Sequence, residues 1–423
     1  MNISELQAKA ADLARELQDV QTQLAQETQD PDALAKELTQ TRAYAFDAAT
    51  LPIADVVAGC SGSLDRYGFC VIDNVIPAGE VEAIREEVRA AHPIIARNKQ
   101  AVKDLLNQED FDEQALIDNP SAFSDVDLRR VRRVGHLPKP PNDIVWMPQY
   151  AQHVASPYIT AVARHVLDDH LRIAQLHHRI IETTKADGTP GGFGHVQYRG
   201  RADTREWHTD WPHDLSAYGA GDPGRNVGCI RRPFPDVTMC LVMIWYLTDV
   251  DEDSGATWVV PGSHKDDRNP RGPEDNMLVT APIPGDMQVS APAGSVYIQD
   301  SRSWHSSAMH NPSGRDRVAI VNRWCPWWLS VDDYAPRGIE NTVCQPLSHE
   351  EYLALPAALQ PLMRHLCPDE QDTLQQPVLD RAEASRERTR WGFQQLAENP
   401  DELAEANAHV RVSIGNHTQG IND

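Results

Sequence analysis

The chain has 423 residues, 41% of them hydrophobic, so it can bury a large core. Its 39 basic and 62 acidic residues give a formal net charge of −23, which argues against general binding to nucleic acids or anionic membranes. The seven cysteines form no Cys-x-x-Cys pair, and their odd number favours reduced thiols. No apolar run approaches the roughly 18 residues of a membrane span, and the N-terminus lacks the pattern of a secretory leader. We therefore expect a cytoplasmic protein without a membrane partner.

The first 44 residues are set apart by a heptad-like apolar seam. Apolar residues recur at alternating spacings of three and four from Ile3 to Leu24, and neither proline nor glycine interrupts the run before Pro31. This pattern predicts an amphipathic helix. It fits either a helix that packs on its own domain or one that pairs with a second copy in a coiled coil. We treat residues 1–44 as a separate N-terminal helix through which homo-oligomers could form.

The rest of the chain is predicted to alternate between strands and helices. Residues 45–60 have the composition of a linker that approaches a first strand, and the residues beyond 335 are polar and helical in pattern, so 336–423 are treated as a helical extension and tail. Periodicity and end signals between these limits predict a strand at 67–76, helices at 77–88 and 159–167, and strands at 171–176 and 179–181.

A His-x-Asp pair, His208 and Asp210, is the most informative short motif. Residues two apart on a strand point to the same face of the sheet, so both side chains can reach one metal ion. Together with a second imidazole from His305, they make a set that leaves coordination positions open, which suits a non-haem Fe(II) centre. A lone pair of this kind is weak evidence in a chain with 17 histidines, and His213 with Asp214 could form the pair in another register.

The segments that follow the pair strengthen its interpretation. An apolar strand at 241–247 leads into a turn-rich segment that ends in Pro261-Gly-Ser-His-Lys265. A second strand-like run, 294–300, delivers His305, and Asn311-Pro-Ser precedes Arg317 and the strand-like run 318–321. In this order the segments resemble the phytanoyl-CoA dioxygenase-like family of Fe(II)- and 2-oxoglutarate-dependent oxygenases. The resemblance covers roughly residues 60–330.

The resemblance implies a fold and a set of site residues. The fold is α+β, with a double-stranded β-helix core (a cupin-like jelly roll) over residues 45–335 and flanking N- and C-terminal helices. His208, Asp210 and His305 are the implied metal ligands. Arg317 is the implied anchor of the 2-oxoglutarate carboxylate, a role that suits the two parallel donors of a guanidinium. Ser307 and Gln197 are further candidates for contacts with the co-substrate.

One departure from the family pattern leaves two assignments open. The family usually places an Asn five residues after the distal His, whereas Asn311 lies six residues after His305. We infer a one-residue insertion between the two. As a result, His310 competes with His305 as the distal ligand, and Arg315 competes with Arg317 as the anchor of 2-oxoglutarate.

Two segments beside the motifs receive their own interpretations. His264, in the Pro-Gly-Ser-His turn, is predicted to be structural, with its imidazole bonded to backbone groups. Residues 215–236 are rich in Gly, Pro and Arg and form a long insertion directly after the His-x-Asp pair. Long irregular segments inside compact domains are usually functional or disordered, and this one lies where an active-site lid could form.

The resemblance also implies a reaction. Fe(II), 2-oxoglutarate and O₂ would oxidise a small organic substrate, with release of succinate and CO₂. Related halogenases have Gly or Ala in place of the carboxylate, so Asp210 favours hydroxylation, desaturation or another oxygen-atom reaction over halogenation. The motifs do not name the substrate. Two other classes remain open: a catalytically silent jelly roll that holds a metal or a ligand, and a coiled-coil scaffold in which the barrel is incidental.

Overall fold

The computed structural model describes residues 30–106, 143–181, 183, 205, 207–210, 236–266, 268–270, 279, 281–307, 310–329 and 347–367. The chain divides into two compact units, residues 1–367 and 368–423, and the second lies outside the described residues. The heptad-like seam, Gln197, the alternative pair His213 and Asp214, and the 215–236 insertion also lie outside them.

The described part of the chain is a mixed α+β structure. Its helices are α1 (Pro31–Thr41), α2 (Ile53–Tyr67), α3 (Ala78–Leu106), α4 (Pro148–Val154), α5 (Pro157–Val166), α6 (His349–Ala354) and α7 (Gln360–Met363). Its strands are β1 (Ala45–Asp47), β2 (Phe69–Asp73), β3 (Leu171–Ile181), β4 (Leu241–Tyr246), β5 (Trp258–Val259), β6 (Met287–Gln288), β7 (Val296–Asp300), β8 (His305–Ser306) and β9 (Arg317–Pro326).

The strands form a large and a small sheet. The large sheet has the order β1-β2-β7-β4-β9-β3, in which β1 and β2 are parallel and the other neighbours are antiparallel. The small sheet has the order β6-β5-β8 and is antiparallel. β9 is buried along all ten of its residues, as expected of a strand with neighbours on both sides and a covered sheet on both faces.

The large sheet separates two apolar clusters. Along β4, Met243 and Trp245 pack with residues of the helices, whereas Tyr246 packs with Val259 and Met287 of the small sheet. Successive side chains of a strand point to opposite faces, so one face of the large sheet is covered by helices and the other faces the small sheet. We call the second face the inner face. Tyr297 on β7 and Ala319 on β9 lie on it as well.

The interpretation of residues 45–60 as a linker is wrong, because the second half of this segment begins helix α2. Its buried residues Val56, Cys60 and Leu64 lie four apart and therefore on one face of the helix. Gly59, which contributed to the linker-like composition, allows close packing: a Cβ there would lie 2.2 Å from Cε1 of Phe46. Small residues in this segment serve a tight helix contact, not chain flexibility.

Two further predicted elements change in extent. The helix expected at 77–88 continues to Leu106 as α3 and includes Pro93. The two strand-like runs between 171 and 181 are one strand, β3, with a register shift between Ile173 and Gln175. The gap between the two runs is His177-His178, two polar residues that interrupt the apolar pattern although the strand continues through them.

The described parts of the two flanking segments pack against the sheets. Ala35 and Leu38 of α1 belong to the inner-face cluster, and Asp32 accepts a hydrogen bond from the Gly285 amide at 2.7 Å. At the other end, Tyr352 and Met363 belong to the helix-side cluster. None of the helices in the described ranges is both long and apolar enough to cross a bilayer.

The structural role predicted for His264 is confirmed. The imidazole is 4% exposed, and its Nε2 lies 3.1 Å from the Asp65 carbonyl oxygen at the end of α2. It packs under Gly68, where a Cβ would lie 2.6 Å from the imidazole Nδ1. Gly68 has a φ of +84°, which is accessible to glycine at little cost. His264 thus fixes the turn after β5 to the helix that precedes β2.

This burial predicts a pH-dependent stability. Burial lowers the pKa of His264 below its ordinary 6.5, although the Asp300 carboxylate acts in the opposite direction. Below pH 6.5 the His264 imidazole is therefore protonated more readily in the unfolded chain than in the folded chain. As a result, the free energy of unfolding falls as the pH falls. We expect the unfolding temperature to drop more steeply between about pH 7 and pH 5 in the wild type than in His264→Gln. Thermal melts followed by circular dichroism would measure this, and parallel pH profiles would contradict it.

Candidate metal centre

His208 directly follows a short segment that two side chains anchor. The Trp207 side chain is fully buried, and its Nε1 donates to the Ala281 carbonyl at 2.8 Å. Two residues earlier, the Arg205 guanidinium contacts Asp286 at 3.2 Å and stacks over the Trp258 ring, 3.4 Å from its centroid. A buried indole and a paired guanidinium fix the backbone of this short segment without a regular strand.

His208 and His305 face each other as an antiparallel bridge. The His208 amide donates to the His305 carbonyl at 3.1 Å, and the His305 amide donates to the His208 carbonyl at 3.0 Å. In such a pair the two side chains lie on the same side of the bridge. The ring centroids are accordingly 4.2 Å apart. Asp210 follows on the same face, and its amide donates to the Ser301 carbonyl at 2.9 Å.

The three predicted ligands converge on one point. Asp210 Oδ2 lies 3.6 Å from His305 Nε2, and Asp210 Oδ1 lies 3.9 Å from His208 Nε2. The three ligand atoms all lie within 4.8 Å of one another. Two atoms that each bind an ion at about 2.1 Å can be no more than about 4.2 Å apart, so a shift of roughly half an ångström suffices. The donor set and its spacing fit a divalent metal.

The orientation of His305 also suits a metal ligand. Its Nδ1 lies 3.0 Å from the Ser303 carbonyl oxygen, which can only accept a hydrogen bond. This contact places the proton on Nδ1 and leaves the Nε2 lone pair directed toward Asp210. Ser303 is itself held, because its hydroxyl donates to the Gly68 carbonyl at 3.0 Å.

Strand pairing distinguishes the two candidate distal histidines. His305 pairs with Val259 in the small sheet, which brings its ring to His208 and Asp210. Within the described residues, the group that could hold a metal contains His305 and not His310. Ser307 lies half-buried two residues beyond His305, and its contact with the co-substrate stays a prediction.

Burial distinguishes the two candidate anchors for 2-oxoglutarate. Arg315 is 49% exposed and lies 3.7 Å from Asp249 and 3.8 Å from Asp251, both at the surface. Arg317 is 3% exposed, and burial lowers the pKa of its guanidinium, with the Tyr246 phenol acting in the opposite direction. The geometry therefore favours Arg317 as the interior cation.

The Asn-x-Ser motif positions the start of β9. The Asn311 side chain is fully buried, and its Nδ2 donates to the Ile181 carbonyl at 3.1 Å and to the Arg315 carbonyl at 2.8 Å. Its Oδ1 accepts from the Ser313 hydroxyl at 2.6 Å. These bonds close the turn before Arg317 and satisfy buried backbone carbonyl groups there.

One residue beside the triad was missed in the sequence. Arg323, on β9, is 7% exposed, and its guanidinium contacts Oδ1 of Asp210. The sequence did contain a relevant pattern. Arg317 and Arg323 are six residues apart on one strand, and residues an even number apart point to the same face of a sheet. The sequence alone did not show that Asp210 lies opposite the second arginine.

Comparison with known proteins identifies the family. The family model described as Phytanoyl-CoA dioxygenase (PhyH) matches residues 64–319, which is more than half of the chain. The chain belongs to the phytanoyl-CoA dioxygenase family. This family resembles in its motifs the Fe(II)- and 2-oxoglutarate-dependent oxygenases, and the donor set described above fits such a metal.

Individual relatives match only part of this PhyH protein. Two uncharacterized mycobacterial proteins, Mb1539 of Mycobacterium bovis and Rv1501 of Mycobacterium tuberculosis, are each 32% identical to it over 118 residues. The match spans 28% of this chain and only a third (33%) of the length of those proteins.

Several solved structures are similar to the chain at low sequence identity. HygX from Streptomyces hygroscopicus with nickel and 2-oxoglutarate bound is 18% identical, with a TM-score of 0.37 over 63% of this chain and 85% of that one. Iron-bound HygX is 17% identical, with a TM-score of 0.38 over 66% and 93%. The non-heme monooxygenase ThoJ is 14% identical, with a TM-score of 0.36 over 63% and 76%.

Proposed function

We propose that the protein is an Fe(II)- and 2-oxoglutarate-dependent dioxygenase that hydroxylates a small organic substrate and releases succinate and CO₂. The observation that carries this proposal is the convergence of the half-buried His208 with the buried Asp210 and His305 in one cluster. Two imidazoles and one carboxylate with further positions open are the donor set of non-haem Fe(II) oxygenases. Membership of the PhyH family supports the same chemistry.

The proposal includes a fold and a division of the chain. The large and small sheets would be the two halves of a double-stranded β-helix over residues 45–335. The packing of Val259 and Met287 against the inner face of the large sheet supports this architecture. Residues 1–44 and 336–423 would be the N-terminal helix and the helical extension, and self-association through the N-terminal helix stays a prediction.

Arg317 would bind the distal carboxylate of 2-oxoglutarate. Its guanidinium donates to the Gly255 carbonyl, and its Nε has no hydrogen-bond partner within the described residues. Buried donors are nearly always satisfied, so an unpaired donor on the buried Arg317 guanidinium fits a ligand that supplies acceptor atoms. A dicarboxylate supplies both the acceptors and the charge that a buried cation needs.

The protein residues would have separate tasks in the reaction. Bound Fe(II) would supply the chemistry by which O₂ and 2-oxoglutarate oxidise the substrate. His208, Asp210 and His305 would hold the ion, and the Ser303 carbonyl would keep His305 in the ligating tautomer. Arg317 would orient the co-substrate from the opposite end. The burial of Asp210 and His305 limits water at the centre, which strengthens these electrostatic contacts.

Turnover of 2-oxoglutarate tests the proposal. The protein is loaded with Fe(II) without oxygen, then mixed with 2-oxoglutarate, O₂ and a panel of small-molecule substrates, while succinate is quantified. We expect succinate that depends on both Fe(II) and 2-oxoglutarate and that increases with a true substrate, whose product gains one oxygen atom. A protein that binds the metal but neither binds nor decarboxylates 2-oxoglutarate would instead be the catalytically silent alternative.

A further inference from the structure

The inner face of the large sheet carries Arg323 close to the metal cluster. Val242 on β4 pairs with Gln299 on β7 and with Arg323 on β9, so these three residues form one row across the inner face. The Asp210 amide bonds to Ser301, directly beyond the end of β7. β9 lies two strands from β7, or about 9–10 Å away, so only a long side chain can connect them. The Arg323 guanidinium does so by its contact with Asp210 Oδ1.

The position of Arg323 is fixed by its neighbours along the strand. Asn322, on the opposite face, accepts from Trp245 Nε1 at 2.7 Å and donates to the Tyr150 hydroxyl at 2.8 Å. Trp324 is fully buried in the helix-side cluster. Because side chains alternate across a strand, these buried anchors hold the backbone so that Arg323 points toward Asp210.

The two oxygens of Asp210 therefore have different surroundings. Oδ1 contacts the guanidinium and lies 3.9 Å from His208 Nε2, whereas Oδ2 lies 3.6 Å from His305 Nε2. A carboxylate can bind a metal through one oxygen or through both. The number of Asp210 oxygens bound to the metal matters for the proposed function. The metal would also have to accept two atoms from the keto-acid end of 2-oxoglutarate and still keep a position for O₂. A carboxylate bound through both oxygens would occupy one of those positions.

We propose that Arg323 is a positioning residue that holds Oδ1 of Asp210 and so restricts the carboxylate to one metal bond through Oδ2. The inference rests on the proposed function, because it takes Asp210 to be a metal ligand. Arg323 would thereby keep the third open position at the centre without touching the metal or the substrate.

The experiment counts the positions that are open on the metal. Mn(II) binds imidazole and carboxylate donors and relaxes the protons of the waters bound to it, so water relaxation of the Mn(II)-loaded protein reports their number. In Arg323→Met, which keeps the length of the side chain but loses its donors, we expect one bound water fewer than in the wild type. We also expect the affinity of the Mn(II)-loaded protein for 2-oxoglutarate, measured by calorimetry, to fall about 10- to 100-fold. The affinity for Mn(II) itself should be equal or higher, because a nearby positive charge has been removed.

Control variants separate this role from a general structural one. Arg323→Lys retains a charged donor and should restore the water count. Arg42→Gln breaks another Arg–Asp contact, that with Asp73, and should change neither quantity. If Arg323→Met does not fold, Arg323→Leu, which also lacks donors, replaces it with the same expected result.

The outcomes distinguish the inference from the function on which it rests. A wild-type water count and 2-oxoglutarate affinity in the folded Arg323→Met variant would overturn the inference and leave the proposed function intact. Loss of Mn(II) from that variant would also overturn it, because Arg323 would then be required for metal binding itself. A wild-type protein that bound no Mn(II) would overturn the proposed function first.

Discussion

Replacing His208, Asp210 or His305 singly with alanine is expected to abolish turnover and to weaken Fe(II) binding by more than about 100-fold. Loss of a group that only orients a ligand typically costs 10- to 100-fold in metal affinity, so loss of one of three ligands should cost more. The three ligand atoms already lie within 4.8 Å of one another. Metal content after equilibrium dialysis, together with succinate formation, measures the effect.

His310→Ala is the matched control for this experiment. His310 lies outside the cluster in the described structure, so this variant should retain both metal and turnover. Circular dichroism should show that all four variants are folded, since the triad is held by backbone bonds that alanine retains. Metal loss in His310→Ala with normal binding in His305→Ala would show that the distal ligand had been wrongly assigned.

Arg317→Ala is expected to weaken 2-oxoglutarate binding while leaving Fe(II) content near normal. Truncating one partner of a buried, hydrogen-bonded charge pair costs about 2–5 kcal/mol, which corresponds to roughly 30-fold to several thousand-fold in affinity. The guanidinium is buried and within the described residues bonds to the Gly255 carbonyl, so a bound carboxylate would be its charged partner. Calorimetric titration of 2-oxoglutarate into the anaerobic, metal-loaded protein gives the dissociation constant.

Arg315→Ala controls for the loss of an arginine in the same turn. Its side chain is half exposed and paired with surface aspartates, so the affinity for 2-oxoglutarate should stay within about twofold of the wild type. Arg317→Lys should recover only part of the affinity, because an ammonium lacks the two parallel donors of a guanidinium. Normal 2-oxoglutarate binding in Arg317→Ala, with a loss in Arg315→Ala, would move the anchor to the other arginine.

The candidate site divides into a part that sequence predicts and a part that it does not. His208 and Asp210 are two residues apart, and an extended backbone predicts that they share a face, although the structure forms only an isolated bridge at His208. The strand at 241–247 likewise follows from an unbroken apolar run, and the structure places β4 there. By contrast, the Gly- and Ser-containing segment before β2 has the composition of a linker, yet it forms α2, whose buried residues Val56, Cys60 and Leu64 pack in the core.

The sequence by itself identified the PhyH family through its ordered motifs, and that family implies Fe(II) and 2-oxoglutarate. Only the tertiary structure decided between residues that are close in sequence and chemically alike. His305 joins the cluster because it pairs with Val259, and Arg317 is buried while Arg315 is not. Arg323 meets Asp210 across three strands whose register depends on contacts between distant parts of the chain. Local spacing fixes which side chains share a face, whereas strand pairing between distant segments decides which of them meet.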